Sequence, residues 1–363
     1  MLKRMRKALK LAVMVVAVLA VLALAPVLWV EASCYVEAEP DRAPFQSSLD
    51  AGDRRDEVNT YLTYPEWSIV YAYEDFAGVT RMGSESDFAY FRSIRSYWTS
   101  LCSVTRIASR RGMVPSDTKS MLYVIGISFA AEMGIKGAYE ETIGRITSVI
   151  RGEVRTAEDD FALMVADDYA GFLRQTPWYQ YPFGERLKAF WSETPLLGSN
   201  FIRKIERRFA LTLEYGVKAV YAKFIGFLAG LDPAPLSIRS VVTGLDARDI
   251  DSLRNVLIVK ALPGDASIIE TPRYRTFTEI IRVLAVRGEN FTEIAGNRDI
   301  LVTVLAREDL KIDLPAAKPL FEVPLQAQPG WHRVGLDVEV TSLTELIRNI
   351  AGPDIRLEHV YDY

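Results

Sequence analysis

The sequence predicts an α+β fold with an N-terminal transmembrane helix, a duplicated three-helix all-α domain and a small C-terminal α+β domain of the ferredoxin-like type. Three observations lead to this prediction. The chain of 363 residues begins with a basic segment and a long uncharged run, one helical pattern occurs twice, and the pattern changes from helical to strand-like near residue 237.

Residues 1–31 have the composition of a membrane anchor. Residues 11–30 carry no charge. About twenty apolar residues cross a bilayer as a helix, whereas a cleaved signal peptide has an apolar core of roughly 7–15 residues. We therefore expect an uncleaved anchor, although Val30-Glu31-Ala32 would also permit cleavage. Five basic residues precede the run: Lys3, Arg4, Arg6, Lys7 and Lys10.

The basic flank also predicts an orientation, because lysine and arginine next to a membrane segment stay on the cytoplasmic side. We expect a single-pass protein with a cytoplasmic N-terminus and an extracytoplasmic bulk, which would be periplasmic in a Gram-negative host. Residues 32–57 are polar and contain Pro40, Pro44 and Gly52. This composition is typical of a spacer between a membrane and a folded domain.

The repeated helical pattern occupies residues 132–144 and 214–226, which are identical at six of thirteen positions. Two upstream blocks also match in the same order: residues 74–78 resemble 167–171, and 94–98 resemble 187–191. Matched blocks in one order indicate duplication. We therefore divide a helical domain, 58–231, into two repeats at 58–150 and 151–231. The predicted helices are 64–78, 86–104, 117–150, 157–174, 184–193 and 199–230.

The C-terminal domain, 237–363, mixes strand-like and helical patterns in an order that resembles a ferredoxin-like sandwich. Gly296-Asn297 lies between two strand-like runs and predicts a hairpin. The predicted strands are 256–261, 267–270, 291–295, 300–305, 333–340 and 355–361, and the predicted helices are 277–286 and 343–350.

The two longest helices are apolar enough to raise the question of membrane insertion. Each carries a glutamate and a lysine near its middle, and a charge at the centre of a bilayer costs about 2.5–3.5 kcal/mol on insertion scales. We therefore interpret them as core helices of a soluble domain. Intramembrane helices with paired charges remain the alternative.

The same charges supply the candidate site, which we place between the two repeats. In each repeat, Glu, Lys and Tyr recur at one spacing on one helical face, and Ile143 extends that face in the first repeat. A pseudo-twofold arrangement would pair each glutamate with the lysine of the other repeat in a buried network, whereas the alternative is two intrahelical pairs. The candidate ligand-binding residues are Glu132, Lys136, Tyr139, Glu214, Lys218 and Tyr221.

Other chemistry finds little support in the sequence. The formal net charge of −4 argues against a nucleic-acid partner. No phosphate-binding loop, dinucleotide fingerprint or hydrolase motif occurs, so we predict no catalytic residue, no metal site and no cofactor. An oxygen-only metal site or a pair of converging histidines is a weaker alternative. Their residues are Glu74, Asp75, Asp167 and Asp168, and His332 and His359.

The chain has two cysteines, Cys34 and Cys102. Outside the cytoplasm such a pair can form a disulfide, but the sequence does not show that the two meet. We interpret Cys102 as a small buried residue.

Together these features favour a membrane-anchored, non-catalytic binding or assembly module of the cell envelope with an envelope protein as partner. One alternative is an enzyme or small-ligand binder with a charged site between the repeats. The other is a polytopic membrane protein that uses its Glu/Lys pairs inside the bilayer.

Overall fold

The computed structural model of the chain describes residues 23–39, 45–229, 237–245, 255–312, 317–350 and 352–362, together with residues 10, 13, 14, 21 and 314. Most of the predicted anchor, 1–31, lies outside these residues. So do residues 232–235, whose two prolines predict a linker. The end of the anchor region is described as an apolar helix, which we name α1, Ala23–Ser33.

The first helical half contains three long helices, with a short helix before them and another after them. Pro65 lies in the first turn of α3, where its missing N–H costs no hydrogen bond. The predicted helices are confirmed with shifted bounds: 64–78 ends later, at Met82, and 86–104 begins later, at Tyr90, and ends later, at Arg111. The elements are α2 (Val58–Leu62), α3 (Tyr64–Met82), α4 (Tyr90–Arg111), α5 (Ser116–Tyr139) and α6 (Arg145–Arg151).

One turn of π-helix, Glu140–Gly144, joins α5 to α6. A π turn holds one more residue than an α turn and therefore rotates the face that follows it. The expectation that Ile143 extends the charged face is wrong for this reason. Ile143 is exposed, and the Glu140 side chain points inward instead.

The second helical half again contains three helices, and its predicted helices are confirmed as well. The first is capped at Thr156, whose hydroxyl accepts from the Asp159 amide while the Asp159 carboxylate accepts from the Thr156 amide. The elements are α7 (Ala157–Leu173), α8 (Phe183–Glu193) and α9 (Phe201–Ala229).

The helices pack as two layers. α3 lies against α7, α5 packs on α3, and α9 packs on α7, while α4 and α8 flank α5 and α9 respectively. α4 runs antiparallel to α5, because the Tyr97 hydroxyl donates to the Leu122 carbonyl and Gly137 lies against Tyr90. α5 and α9 cover the α3–α7 pair from one side, because ion pairs join Lys136 of α5 to Glu214 of α9 and Glu132 of α5 to Lys218 of α9.

The C-terminal part contains two four-stranded antiparallel sheets. The strand orders are β2-β3-β1-β4 and β6-β7-β5-β8. A helix precedes the last strand of each sheet: α10, Arg275–Arg287, and α11, Leu343–Asn349. The strands are β1 (Ser237–Thr243), β2 (Leu257–Leu262), β3 (Ala266–Pro272), β4 (Asn290–Ile294), β5 (Asp299–Arg307), β6 (Ala317–Pro324), β7 (Trp331–Glu339) and β8 (Ile355–Val360).

The predicted hairpin at Gly296-Asn297 is wrong. The chain does reverse there, with Ala295 and Gly296 at positive φ, but β4 pairs with β1 and β5 pairs with β7 and β8. The local turn chemistry was therefore read correctly, while the pairing of the flanking strands is set by distant segments. β6 was missed because it contains Pro319 and Pro324, which an edge strand tolerates.

The second sheet packs on the first helical half through polar contacts inside an apolar core. Tyr61 donates to Asp337 at 2.6 Å, and the Thr60 hydroxyl donates to the Tyr361 carbonyl at 2.8 Å. Arg111 pairs with Asp337 at 2.8 Å. These contacts fix β5, β7 and the C-terminus against α2 and α4.

Cys34 and Cys102 form a disulfide, with Cα atoms 5.0 Å apart. The interpretation of Cys102 as an unpaired buried residue is therefore corrected. The pairing depends on α1 ending beside α4, where the Arg106 guanidinium donates to the Ser33 carbonyl. The bond fastens the end of α1 to the middle of α4.

The disulfide generates a stability prediction. The double variant Cys34→Ser/Cys102→Ser should lower the free energy of unfolding by about 2–5 kcal/mol, because the open chain regains conformational freedom. Thermal unfolding of the full chain in detergent, with and without reductant, measures this loss. Either single serine variant should lose as much as the double variant. Unchanged unfolding of the oxidised wild type after addition of reductant would contradict the bond.

Candidate functional site

The candidate site lies where α5 faces α9, and its four charges pair across the two halves. Lys136 Nζ lies 3.0 Å from Glu214 Oε1, and Lys218 Nζ lies 2.7 Å from Glu132 Oε1. The expected pairing of each glutamate with the lysine of the other half is confirmed. One intrahelical contact accompanies it, Lys218 to Glu214 at 3.3 Å.

Aromatic rings from α3 and α7 enclose these charges. The Tyr73 hydroxyl donates to Glu132 at 2.5 Å, and the Lys136 ammonium lies 4.2 Å from the centre of the Phe76 ring. The Lys218 ammonium lies 5.1 Å and 5.2 Å from the ring centres of Tyr73 and Tyr169. Ring faces attract cations when water is excluded, so the lysines are stabilised on two sides.

The electrostatics hold the charged forms in place. Burial opposes ionisation of Glu214, but the ammonium groups of Lys136 and Lys218 outweigh it and lower the pKa of Glu214 to about 2. Burial likewise disfavours the charged form of Lys218, yet the Glu132 carboxylate and its other neighbours hold the pKa of Lys218 well above its usual value. Both groups therefore stay ionised at neutral pH. A general acid or base works best when its pKa lies near the working pH, and the pKa values of Glu214 and Lys218 are shifted away from neutrality.

The space beside the charges is small. The cavity among Tyr73, Phe76, Lys136, Glu214 and Lys218 has a volume of about 30 Å³. A single water needs at least about 10–15 Å³ on this scale. The cavity therefore has room for one or two waters and not for an organic ligand.

The two tyrosines of the predicted site lie elsewhere. Tyr139 turns to a neighbouring cluster, where its hydroxyl donates to Glu206 at 2.7 Å. Tyr221 is exposed and stacks on Trp178, with ring centres 5.2 Å apart. The structure thus brings together four of the six predicted residues.

A larger buried charge cluster adjoins this site, and the sequence reasoning missed it. Arg203 and Arg207 are each about 1% exposed. Arg207 pairs with Glu140 at 2.9 Å, and Arg203 pairs with Asp159 at 2.8 Å and with Glu85 at 3.1 Å. Glu206 lies between the two arginines and pairs with both. The cluster therefore joins α9 to the π turn, to α7 and to the short turn before α4.

A second missed group lies beside this cluster, in the same turns of α9. Lys204 and Arg208 both pair with the fully buried carboxylate of Glu158, at 2.7 Å and 3.0 Å. Arg208 also donates to the Thr194 carbonyl. The signal was present in the run Arg203-Lys204-Ile205-Glu206-Arg207-Arg208. Helical periodicity shows that such a helix has two faces and does not show which one is buried.

The residues considered for other sites are engaged separately. Asp75 accepts from the backbone amides of Gln326 and Ala327, and Asp168 accepts from Tyr181 and Arg186. Glu74 pairs with Arg174, and Asp167 pairs with Arg81. In the described part of the chain, no group of three metal-binding side chains comes together.

The two histidines do not converge. His359 pairs with Thr303 and His332 with Ala306, which are three residues apart on β5 and so lie on opposite faces of the sheet. Burial lowers the pKa of His359 to about 3, and its ring packs 4.0 Å from that of Trp67. His359 is therefore a neutral core residue.

Comparison of the chain with protein-family models, curated proteins and solved structures gave no match.

The cross-pairing is testable with a double-mutant cycle. Lys136→Ala and Glu214→Ala should couple by about 1–3 kcal/mol in unfolding free energy. Glu214→Ala removes the carboxylate that Lys136 pairs with, and Lys136→Ala leaves Glu214 its longer contact with Lys218. Coupling of Glu132→Ala with Lys218→Ala should be smaller, since the Glu132 side chain is 36% exposed. The exposed intrahelical pair Glu141–Arg145 is the control and should couple by about 0.3–0.5 kcal/mol. Additive losses at both cross pairs would show that the pairing is wrong.

The buried cluster gives a second stability prediction. Arg207→Met should cost about 3–5 kcal/mol of unfolding free energy, because the buried Glu140 loses its arginine while Glu85 and Glu206 must share Arg203. The control is Arg275→Met, which removes an exposed pair with Glu279 and should cost less than about 1 kcal/mol. Equal thermal shifts for the two variants would contradict the buried cluster.

Proposed function

We propose that the chain is a membrane-anchored, non-catalytic assembly module of the cell envelope, in which the charges between the helical halves hold the domain together. One observation carries the proposal. The four charged side chains form ion pairs with one another, and the cavity beside them has a volume of about 30 Å³. A binding site for a small molecule occupies roughly 300–1,000 Å³, so the structural role is favoured over a ligand site between the repeats.

We further infer that the helical region consists of two repeats, 58–150 and 151–231. Two features support this: three matched sequence blocks in one order, and ion pairs that are reciprocal between α5 and α9. For 237–363, we infer two units of ferredoxin-like type. In each four-stranded sheet the first and third strands are central, the second and fourth are at the edges, and a helix leads into the fourth.

The proposed location is extracytoplasmic, with the N-terminus in the cytoplasm. The basic flank before residue 11 supports the orientation. The Cys34–Cys102 bond supports the compartment, because disulfides persist in oxidising environments and are rare in the cytosol.

The polytopic alternative has one observation in its favour. The helical stretch Ser116–Arg151 is long and apolar enough to cross a membrane, and 28% of its most apolar 18-residue window is buried. Its neighbour argues against a crossing. α4 runs alongside α5 and exposes Arg92, Arg95, Arg106 and Arg110, and each arginine taken to the bilayer centre costs about 2.5–3.5 kcal/mol.

Topology reporters separate these proposals. Alkaline phosphatase inserted after residues 57 and 150 and fused after 363 should be active at all three points, with a fluorescent protein at the same points as the inverse control. Activity at 57 and 363 with none at 150 would mean that Ser116–Arg151 crosses the bilayer, which contradicts the single-pass proposal. Inactivity at all three points would overturn the orientation.

A further inference from the structure

Over residues 201–220, α9 has its charges inside and its apolar residues outside; Lys223, beyond this stretch, is exposed. Arg203, Lys204, Glu206, Arg207 and Arg208 are all buried. Between residues 201 and 220, every exposed residue is apolar. These residues are Phe201, Ile202, Ile205, Phe209, Leu213, Val217 and Val220. A helix on the surface of a water-soluble domain has the reverse arrangement, with the apolar stripe toward the core.

The antiparallel neighbour of α9 shows the same property. Between residues 120 and 140 of α5 and the π turn, no fully exposed residue is charged, and the partly exposed carboxylate of Glu132 is paired with Lys218. Ile135 is 74% exposed, and Val149 in α6 is 76% exposed. The exposed pair Glu141–Arg145 lies at the margin, where Arg145 also donates to the Ser86 carbonyl.

The two apolar faces form one surface. α5 and α9 cover the α3–α7 pair from the same side and are joined by the ion pairs described above. With a rise of 1.5 Å per residue and two helices about 10 Å wide, the surface measures roughly 35 by 20 Å, or about 700 Å². The largest apolar patch of a soluble monomer is about 300–600 Å².

The predicted membrane segment ends beside this surface. Glu31, which directly follows the uncharged run, accepts from Lys119 and Tyr123 in the first turns of α5. The exposed apolar residues of α5 begin at Met121 and Val124. The point where the chain leaves the bilayer is therefore also the point where the apolar surface starts.

The flanking helix on the other side of α5 is polar. Besides Phe91, the exposed residues of α4 are Arg92, Arg95, Thr99, Arg106 and Arg110. An apolar face next to a cationic one fits a domain that lies on a bilayer, with arginines at the level of the headgroups or above them.

We propose that the outer faces of α5, α6 and α9 form a lipid-binding face that lies in the plane of the membrane, immersed in the hydrocarbon of the leaflet from which residue 31 emerges. This inference goes beyond the proposed function, which requires only the N-terminal anchor. Bilayer hydrocarbon is the occupant because the surface is continuous with the end of the membrane segment. It also explains why α9 can expose its apolar residues and bury its charges.

Site-specific fluorescence on the full chain in proteoliposomes tests the face. The two native cysteines are joined, so an introduced cysteine can be labelled alone with an environment-sensitive dye. The variants are Val124→Cys, Ile135→Cys and Ile146→Cys along α5 and α6, and Val217→Cys on α9. Glu185→Cys on α8 and Thr99→Cys on α4 are controls, because these exposed residues lie off the apolar face. Lipids spin-labelled on the acyl chain should quench the four test sites several-fold more than aqueous iodide does, and the controls should show the reverse.

Depth decides between lying in the plane and crossing. Val124 and Ile146 are about 33 Å apart along the helix. Spin labels at several acyl positions should place Val124, Ile135 and Ile146 at one depth. A depth that passes through the bilayer centre between them overturns the proposal in favour of a spanning helix.

Two other results also overturn it. Quenching by iodide at all test sites means that the face is in water, and shielding from both quenchers means that a second copy or another protein covers it. Either result leaves the proposed function intact. That proposal is tested by the topology reporters, which show only on which side of the membrane a residue lies.

Discussion

The helical region, residues 58–231, is organised by the need to neutralise the charged side chains that α9 directs inward. An unpaired ion in a protein interior costs several kcal/mol even after relaxation, so each inward charge requires a partner at a fixed distance. The charged partners come from four places: α5, the π turn, the turn before α4 and α7. Arg203 alone meets Asp159, Glu85 and Glu206. The positions of the surrounding elements are therefore tied to α9 more tightly than apolar packing alone would require.

Two local features follow from this constraint. The π turn brings the Glu140 carboxylate to Arg207, at a point where a regular helix would place a different residue inward. Asp159 combines two roles, since it caps α7 through Thr156 and pairs with Arg203 and Arg151. Burial opposes the charge on Asp159, but Arg203 and its other donors lower its pKa to about 2. A cap and an ion pair on one carboxylate fix both the start of α7 and its distance from α9.

Much of the helical architecture was predictable because it depends on local pattern. Periodicity predicted the helices. The internal similarity predicted that Glu132 and Lys136 could pair with Lys218 and Glu214, with two intrahelical pairs as the alternative. Tyr139 and Tyr221 do not join these four charges, because equal spacing in sequence does not guarantee equal surroundings. Tyr139 donates to Glu206, and Tyr221 stacks on Trp178.

The features that the sequence did not predict depend on distant segments. Which face of α9 points inward depends on Glu85, Glu140, Glu158 and Asp159, which precede it by dozens of residues. The disulfide depends on α1 ending beside α4. The assignment of β4 and β5 to different sheets depends on β1 and β7, since a turn at Gly296-Asn297 reverses the chain without choosing its partners.

The Cys34–Cys102 bond ties the end of α1 covalently to the middle of α4, so that the two must move together. α4 packs in turn on β6 at the edge of the second sheet, so the covalent link continues into the C-terminal region through a contact interface. If residues 11–30 cross the bilayer as a helix, a tilt of that helix would pull on α4 through the disulfide, and α4 would pass the movement to the sheet. Changes in membrane thickness or tension would then reach the C-terminal strands as displacement, without any ligand.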